Sequence, residues 1–132
     1  MNKKPGPTPI SPQVTPPRKG LAHILDAAGY SIAGFRRLMG ETAARLELGA
    51  ATFTAVLFLL RGASAGQWLG LVCLWLAVLA IEALNTAIEV LTDRLSPEWS
   101  IEAKHAKDLG SLAVGLGLTI TAIYCAWVVL GF

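Results

Sequence analysis

Residues 68–91 read WLGLVCLWLAVLAIEALNTAIEVL and carry only two charged side chains, Glu82 and Glu89. A helix needs about 20 mostly apolar residues to cross a hydrocarbon core of roughly 30 Å, so this stretch predicts a transmembrane helix. The composition agrees, since 54% of the 132 residues are hydrophobic and only 15% are charged. Soluble domains carry roughly a quarter charged residues. The sequence therefore predicts a membrane protein.

Other apolar segments lie on both sides of this stretch. We expect three spans in all, at about 43–60, 68–91 and 109–131. Before them, residues 21–40 place apolar side chains at three- and four-residue spacing, which predicts an amphipathic helix in the membrane interface. A core-facing helix of a soluble bundle would show the same periodicity. The predicted fold class is an all-α membrane protein with one surface helix and three transmembrane helices.

Residues 1–20 differ in composition from the rest of the chain. They contain six of the seven prolines together with four basic residues. Proline fixes φ and removes a backbone donor, so we expect a disordered, solvated basic tail. Residues 21–132 then form a single membrane domain.

The distribution of Lys and Arg predicts the orientation. Seven basic residues precede or open the first span, three lie in the 92–108 loop, and Arg61 alone lies in the turn between. The positive-inside rule places the N-terminus and the 92–108 loop of this multi-pass protein in the cytoplasm. The net charge of +2 is too small to indicate a nucleic-acid partner.

A polar stripe runs along the second predicted span. Glu82, Asn85, Glu89 and Asp93 are spaced by three, four and four residues, so they share one face of a helix, with Glu82 about 16 Å from Asp93. A carboxylate at the bilayer centre costs roughly 3 kcal/mol. Three interpretations stay open: packing against neighbouring helices, an ion or proton pathway, and a catalytic or metal site facing the cytoplasm.

The loop after this span favours the catalytic interpretation. Residues 96–108, SPEWSIEAKHAKD, combine carboxylates and amines at one depth. Carboxylate oxygens suit a hard cation and lysine suits phosphate, so the segment fits a Mg–nucleotide site. The sequence contains neither G-x-x-x-x-G-K-[ST] nor G-x-G-x-x-G, the phosphate-binding motifs of soluble nucleotide-binding proteins.

Several blocks together resemble the small prokaryotic diacylglycerol kinase family, which includes undecaprenol kinases. They are EALNTAIE at 82–89, DR at 93–94, AKDLGS at 106–111, AAGYS at 27–31, and the cluster of Glu41, Arg45 and Glu47. The resemblance covers about residues 21–132. The first and third of these blocks are specific in combination.

The resemblance implies a homotrimer whose active sites form between protomers at the cytoplasmic interface, with ATP as co-substrate and Mg²⁺ as cofactor. It implies that Glu82 is the general base that contacts the lipid hydroxyl, that Asn85 lies beside it, and that Ser111 contacts the lipid. Glu41 and Glu89 would hold the metal ion. The implied nucleotide-binding residues are Tyr30, Glu41, Glu89, Glu98, Trp99, Ser100, Lys107, Asp108 and His23.

The expected reaction is conversion of diacylglycerol to phosphatidic acid, with undecaprenol as the alternative substrate. This chain departs from the family pattern at three positions, where His23 and His105 replace usual arginines and Ser100 replaces a usual histidine. An interpretation of a different class is an ion-coupled transport or scaffold subunit that uses Glu82 and Glu89 as a proton relay.

Overall fold

The computed structural model describes residues 20–131 and contains four α-helices in that range. They are α1 (Leu21–Leu38), α2 (Thr42–Arg61), α3 (Ala65–Leu95) and α4 (Ile101–Leu130). Within the described range, α2, α3 and α4 are long and apolar enough to cross a membrane. The predicted all-α membrane fold is therefore confirmed, while the predicted tail lies almost wholly outside the described residues.

The chain divides into two units, Met1–Ile32 and Ala33–Phe132. The described part of the first unit is the beginning of α1, where the apolar side chains of Ile24, Leu25 and Ile32 are exposed. Exposed apolar side chains on an amphipathic helix suit the membrane interface. That location for α1 stays a prediction.

The second unit contains α2, α3 and α4, and these helices extend beyond the predicted spans. The 31 residues of α3 measure about 46 Å, more than the roughly 30 Å of a hydrocarbon core. The predicted 92–108 loop was too long, because residues 96–100 alone separate α3 from α4. The Ser100 hydroxyl accepts a hydrogen bond from the Ala103 amide at 3.1 Å, and a Lys104–Asp108 ion pair bridges the next turn. The Ser100 cap and this ion pair thus stabilise polar first turns of α4, which hydropathy does not detect.

An apolar core joins the three long helices at the end distant from the 96–100 loop. Phe58 of α2, Leu71 of α3, and Cys125 and Val128 of α4 are its buried members. Two hydrogen bonds tie the helices beside it: Trp75 Nε1 donates to Thr54 Oγ1 at 3.0 Å, and Tyr124 donates to the Gln67 carbonyl at 2.8 Å. This end of the bundle has few polar groups to bury.

Small residues on α4 let its backbone approach α3 closely. A Cβ placed on Gly117 would lie 3.3 Å from Ile81 Cδ1 and 3.5 Å from Val78 Cγ2, both on α3. Thr121, one turn further, is buried and bonds back to the Gly117 carbonyl at 2.9 Å. The close approach brings the polar stripe of α3 against α4.

Candidate active site

Four buried polar side chains gather in the half of the bundle opposite the apolar core. They are Glu47 on α2, and Glu82, Asn85 and Thr86 on α3. Glu82 is 4% exposed and Glu47 is 6% exposed. Burial of a carboxylate is costly unless it is paired or protonated. Such a concentration of buried carboxyl groups indicates a functional site in a membrane protein.

One cleft of about 260 Å³ is lined by all the residues predicted to act as base, metal ligand or lipid contact. Glu41 immediately precedes α2, Glu82, Asn85 and Glu89 lie on α3 with Thr86, and Ser111 lies on α4. We call it the carboxylate cleft. Three members of the predicted stripe, Glu82, Asn85 and Glu89, thus line one cleft together with Glu41 and Ser111, whereas the fourth member, Asp93, lies outside it.

Asn85 lies at the centre of this cleft. Its Nδ2 donates a hydrogen bond to Glu89 Oε1 at 3.2 Å, while its Oδ1 is buried with no hydrogen-bond partner among residues 20–131. Gly110 of α4 lies directly against that oxygen, since a Cβ at position 110 would overlap Asn85 Oδ1. The amide is thus held between Glu89 and the backbone of α4, with one acceptor oxygen free.

A second cleft of about 350 Å³, the loop cleft, lies where α3 and α4 meet the 96–100 segment. Its charged and aromatic lining comprises Asp93, Glu98, Trp99, Lys104, Lys107 and Asp108. Lys107 Nζ donates to Asp93 Oδ1 at 2.5 Å, which joins α4 to α3. Ser100 also lines the cleft, but its oxygen already accepts from the Ala103 amide and from Ser96 Oγ, both at 3.1 Å. In this structure Ser100 therefore serves to cap α4.

The two clefts are neighbours along the same two helices. Glu89 and Asp93 are four residues apart on α3, a rise of about 6 Å, and Asp108 and Ser111 are three apart on α4, a rise of about 4.5 Å. The predicted site residues of the second unit thus separate into two groups one helical turn apart. The described lining of the deeper cleft contains carboxyl groups and an amide but no amine, whereas the loop cleft combines two amines with three carboxylates and an exposed tryptophan.

The donor groups of the carboxylate cleft fit a magnesium ion. Glu41 is the N-cap residue of α2, where its side chain pairs with Arg37 instead of capping the helix. Glu41 and Glu89 supply carboxylates to this cleft. No group of three or more His, Cys, Asp or Glu side chains that could hold a metal occurs in the described range. Mg²⁺ in nucleotide sites commonly takes only one or two carboxylates and completes its shell with phosphates and water.

Two predicted site residues, His23 and Tyr30, lie outside both clefts, and one buried carboxyl group, that of Glu47, was not predicted as a site residue. His23 and Tyr30 lie on α1 in the first unit, and their nucleotide-binding roles stay predictions. Sequence reasoning missed Glu47 as a site residue, although a carboxylate inside the predicted 43–60 span carries the same cost that drew attention to Glu82. Its Oε2 is buried without a hydrogen-bond partner in the described part of the chain.

Similarity to known proteins identifies the family of this chain. The sequence profile of the family described as prokaryotic diacylglycerol kinase matches residues 29–130. The chain belongs to that family. The match includes both clefts and Tyr30 but begins after His23. This prokaryotic diacylglycerol kinase family member is therefore a membrane-bound lipid kinase.

Individual relatives of the family support the assignment. A diacylglycerol kinase from Sinorhizobium sp is 43% identical over 111 residues, covering 84% of this chain and 81% of that protein. One from Pseudomonas aeruginosa is 40% identical over 124 residues, covering 92% of this chain and 100% of that protein. One from Escherichia coli K12 is 33% identical over 119 residues, covering 84% and 90%. The resemblance noted from the sequence blocks is thus confirmed.

The orphaned carboxylate of Glu47 leads to a stability prediction. Glu47→Gln keeps the size of the side chain and removes a buried carboxyl group whose Oε2 has no hydrogen-bond partner in the described range, so we expect it to stabilise the protein by about 1 kcal/mol. The measurement is the thermal unfolding midpoint in detergent. Glu102→Gln, the same change at an exposed position outside both clefts, should shift stability by less than about 0.5 kcal/mol. A lower midpoint for Glu47→Gln would show that the carboxylate stabilises the protein.

The contact between Gly110 and Asn85 leads to a second prediction. Gly110→Ala places a methyl group where the Asn85 amide oxygen lies, so we expect the amide to turn away from Glu89 and lipid kinase turnover to fall at least about tenfold. The matched control is Gly115→Ala on the same helix, where the new methyl group meets no atom within 4 Å. Turnover is measured as phosphate transfer in detergent micelles, and equal rates for the two variants would contradict the role of Gly110.

Proposed function

We propose that this chain catalyses the ATP- and Mg²⁺-dependent phosphorylation of the hydroxyl of diacylglycerol, giving phosphatidic acid. The observation that carries the proposal is the arrangement of the two clefts: the buried Glu82 shares one cleft with Glu41 and Glu89, and Lys107 lines the other one helical turn away. The three relatives described above are each named diacylglycerol kinase, which supports the same acceptor lipid.

Phosphoryl transfer to an alcohol needs alignment, charge neutralisation and a base. In our proposal the lipid oxygen forms a bond to the terminal phosphorus of ATP, the bond from that phosphorus to the bridging oxygen breaks, and ADP leaves. Glu82 accepts the hydroxyl proton, for which its buried position next to Asn85 is suited. Mg²⁺, when bound by Glu41 and Glu89, would neutralise charge on the phosphates.

The nucleotide would occupy the loop cleft from the aqueous side. Lys107 offers an ammonium to the phosphates, and Trp99, which is 79% exposed, offers a flat ring. The remaining proposed nucleotide contacts are Tyr30, Glu98, Ser100, Asp108 and, by position in the sequence, His23. A phosphate chain that extends one helical turn from this cleft would reach Glu89.

The lipid would approach from the membrane side. An apolar groove of about 490 Å³ between α3 and α4 is lined by Ile81, Leu84, Leu109 and other aliphatic residues, and Asn85 is one of its lining residues. Asn85 also lines the carboxylate cleft. An acyl chain in the groove would therefore place its headgroup near Glu82 and Ser111, which favours a lipid acceptor over a soluble alcohol.

The charge distribution and the open clefts support a proposal for the orientation of the enzyme in the membrane and for its oligomeric state. We place it in the bacterial inner membrane with the N-terminus and the loop cleft in the cytoplasm, where ATP is available. We propose a homotrimer, in which a second protomer would enclose the exposed side of each site. The apolar side chains of Leu84 and Leu109, at 66% exposure each, suit such a contact or the lipid itself.

The proposed base gives the test of this function. Glu82→Gln should lower transfer of radiolabelled phosphate from ATP to diacylglycerol in detergent micelles by at least about 100-fold, because general-base catalysis contributes 10²–10⁴-fold. Binding of Mg–ATP should be nearly unchanged. Glu102→Gln makes the same substitution outside both clefts and should keep full activity.

Three results would contradict parts of the proposal. Turnover of Glu82→Gln near that of the wild type would remove Glu82 as the base. Faster phosphorylation of undecaprenol than of diacylglycerol in a side-by-side assay would change the acceptor lipid. No ATP-dependent transfer to any lipid alcohol in micelles, where no ion gradient exists, would favour the transport or scaffold alternative.

The proposed metal ligands give a separate prediction. Glu41→Gln and Glu89→Gln each remove one carboxylate from the cleft, so half-maximal activity should need at least about tenfold more Mg²⁺ in each variant. The measurement is a Mg²⁺ titration of lipid phosphorylation at saturating ATP. Unchanged titration curves in both variants would exclude these carboxylates as metal ligands.

A further inference from the structure

The ion pair between Lys107 and Asp93 is unusual among the charged contacts of the loop cleft because it joins two helices. Lys107 Nζ on α4 lies 2.5 Å from Asp93 Oδ1 on α3, across the 96–100 segment. The other amine of the cleft, Lys104, pairs with Asp108 on its own helix. Of the two amines that line the cleft, Lys107 is thus the one held by α3.

The pair is poorly suited to a purely structural role. The side chains of Asp93 and Lys107 are 67% and 40% exposed, and ion pairs this solvated contribute little to stability. The two helices are already held together by the close approach at Gly110 and Gly117. The ion pair adds little to the stability of the fold. Its main effect is to fix the position of the Lys107 ammonium at the end of a flexible side chain.

The position of the amine is what the contact determines. A lysine ammonium carries three donor hydrogens and lies at the end of a flexible four-carbon side chain. Asp93 takes one hydrogen, which leaves two for an incoming ligand. Glu98 and Asp108 also line the cleft and could otherwise attract the amine. Held on Asp93, it lies one helical turn from Glu89, on the route between the two clefts.

We propose that Asp93 is a positioning residue that holds the Lys107 ammonium in place for the phosphates of the nucleotide. The inference rests on the proposed function, because it takes the phosphates as the ligand of Lys107. It assigns no contact between Asp93 and the substrate. Asp93 acts through Lys107 alone, and this gives it a distinctive kinetic effect.

The direction in which Asp93→Asn changes the KM for ATP distinguishes a positioning role from a simple electrostatic one. Asp93→Asn removes a negative charge from a cleft that receives an anion, so electrostatics alone would strengthen nucleotide binding and lower the KM for ATP. Loss of positioning has the opposite result. We expect the KM for ATP to rise about three- to fivefold, a size typical of exposed ion pairs, with kcat and the KM for lipid changed less than about twofold.

The experiment is a double-mutant cycle on the full chain in detergent micelles, with ATP varied at saturating diacylglycerol. The variants are Asp93→Asn, Lys107→Met, and the two combined. In the Lys107→Met background, which has no amine to position, Asp93→Asn should cause no further rise in the KM for ATP. Asp93→Glu keeps the carboxylate and should restore most of the wild-type value. Glu102→Gln, an equal charge change outside the cleft, measures the general electrostatic effect.

Four results would overturn the inference. The first two are an unchanged or lower KM for ATP in Asp93→Asn, and an equal rise in this KM when Asp93→Asn is made in the wild type and in Lys107→Met. The third is that Asp93→Glu does not restore the KM. The fourth is a fall in the unfolding midpoint of Asp93→Asn large enough to indicate a structural role. If the wild type phosphorylates no lipid, the proposed function fails separately. Binding of a fluorescent ATP analogue to the same variants then tests Asp93, and equal affinities for wild type and Asp93→Asn would reject it.

Discussion

The Glu82 carboxyl group lies almost completely buried in a helix long and apolar enough to cross a membrane. Hydrocarbon does not solvate a carboxylate, so such a group must be neutral, paired, or placed beside a polar cavity. The structure provides the third of these conditions. Glu41, Asn85, Glu89 and Ser111 line one cleft together with Glu82, so the buried carboxyl group lies among other polar groups. The arrangement of the helices around this cleft follows from that requirement.

One end of the helical bundle stabilises the fold, and the other end contains the candidate active site. At one end Phe58, Leu71, Cys125 and Val128 fix α2, α3 and α4 against each other through apolar contact. At the other end the same helices bury Glu47, Glu82 and Asn85, which cost stability. The close approach of α4 at Gly110 holds Asn85 where Glu89 can accept its hydrogen bond. Rigid apolar packing at a distance thus compensates for an unfavourable cluster of polar groups.

Much of this arrangement could be predicted from the sequence, because hydropathy and helical spacing are local properties. The three membrane helices follow from hydropathy, and the shared helix face of Glu82, Asn85 and Glu89 follows from their spacing. The ends of α3 and α4 did not, because they depend on the Ser100 cap and the Lys104–Asp108 pair, which hydropathy does not detect. The burial of Glu47 and the Asp93–Lys107 contact depend on how α2, α3 and α4 meet, and spacing along one helix carries no information about a neighbouring helix.

The short 96–100 segment has a consequence for how the protein is assembled. Every residue that lines the loop cleft lies between positions 93 and 108, on one helical hairpin. The loop cleft therefore depends only on the pairing of α3 with α4, whereas the carboxylate cleft also needs the segment at the start of α2. Displacement of α2 would thus disrupt the cleft that contains the buried Glu82 and leave the loop cleft in place.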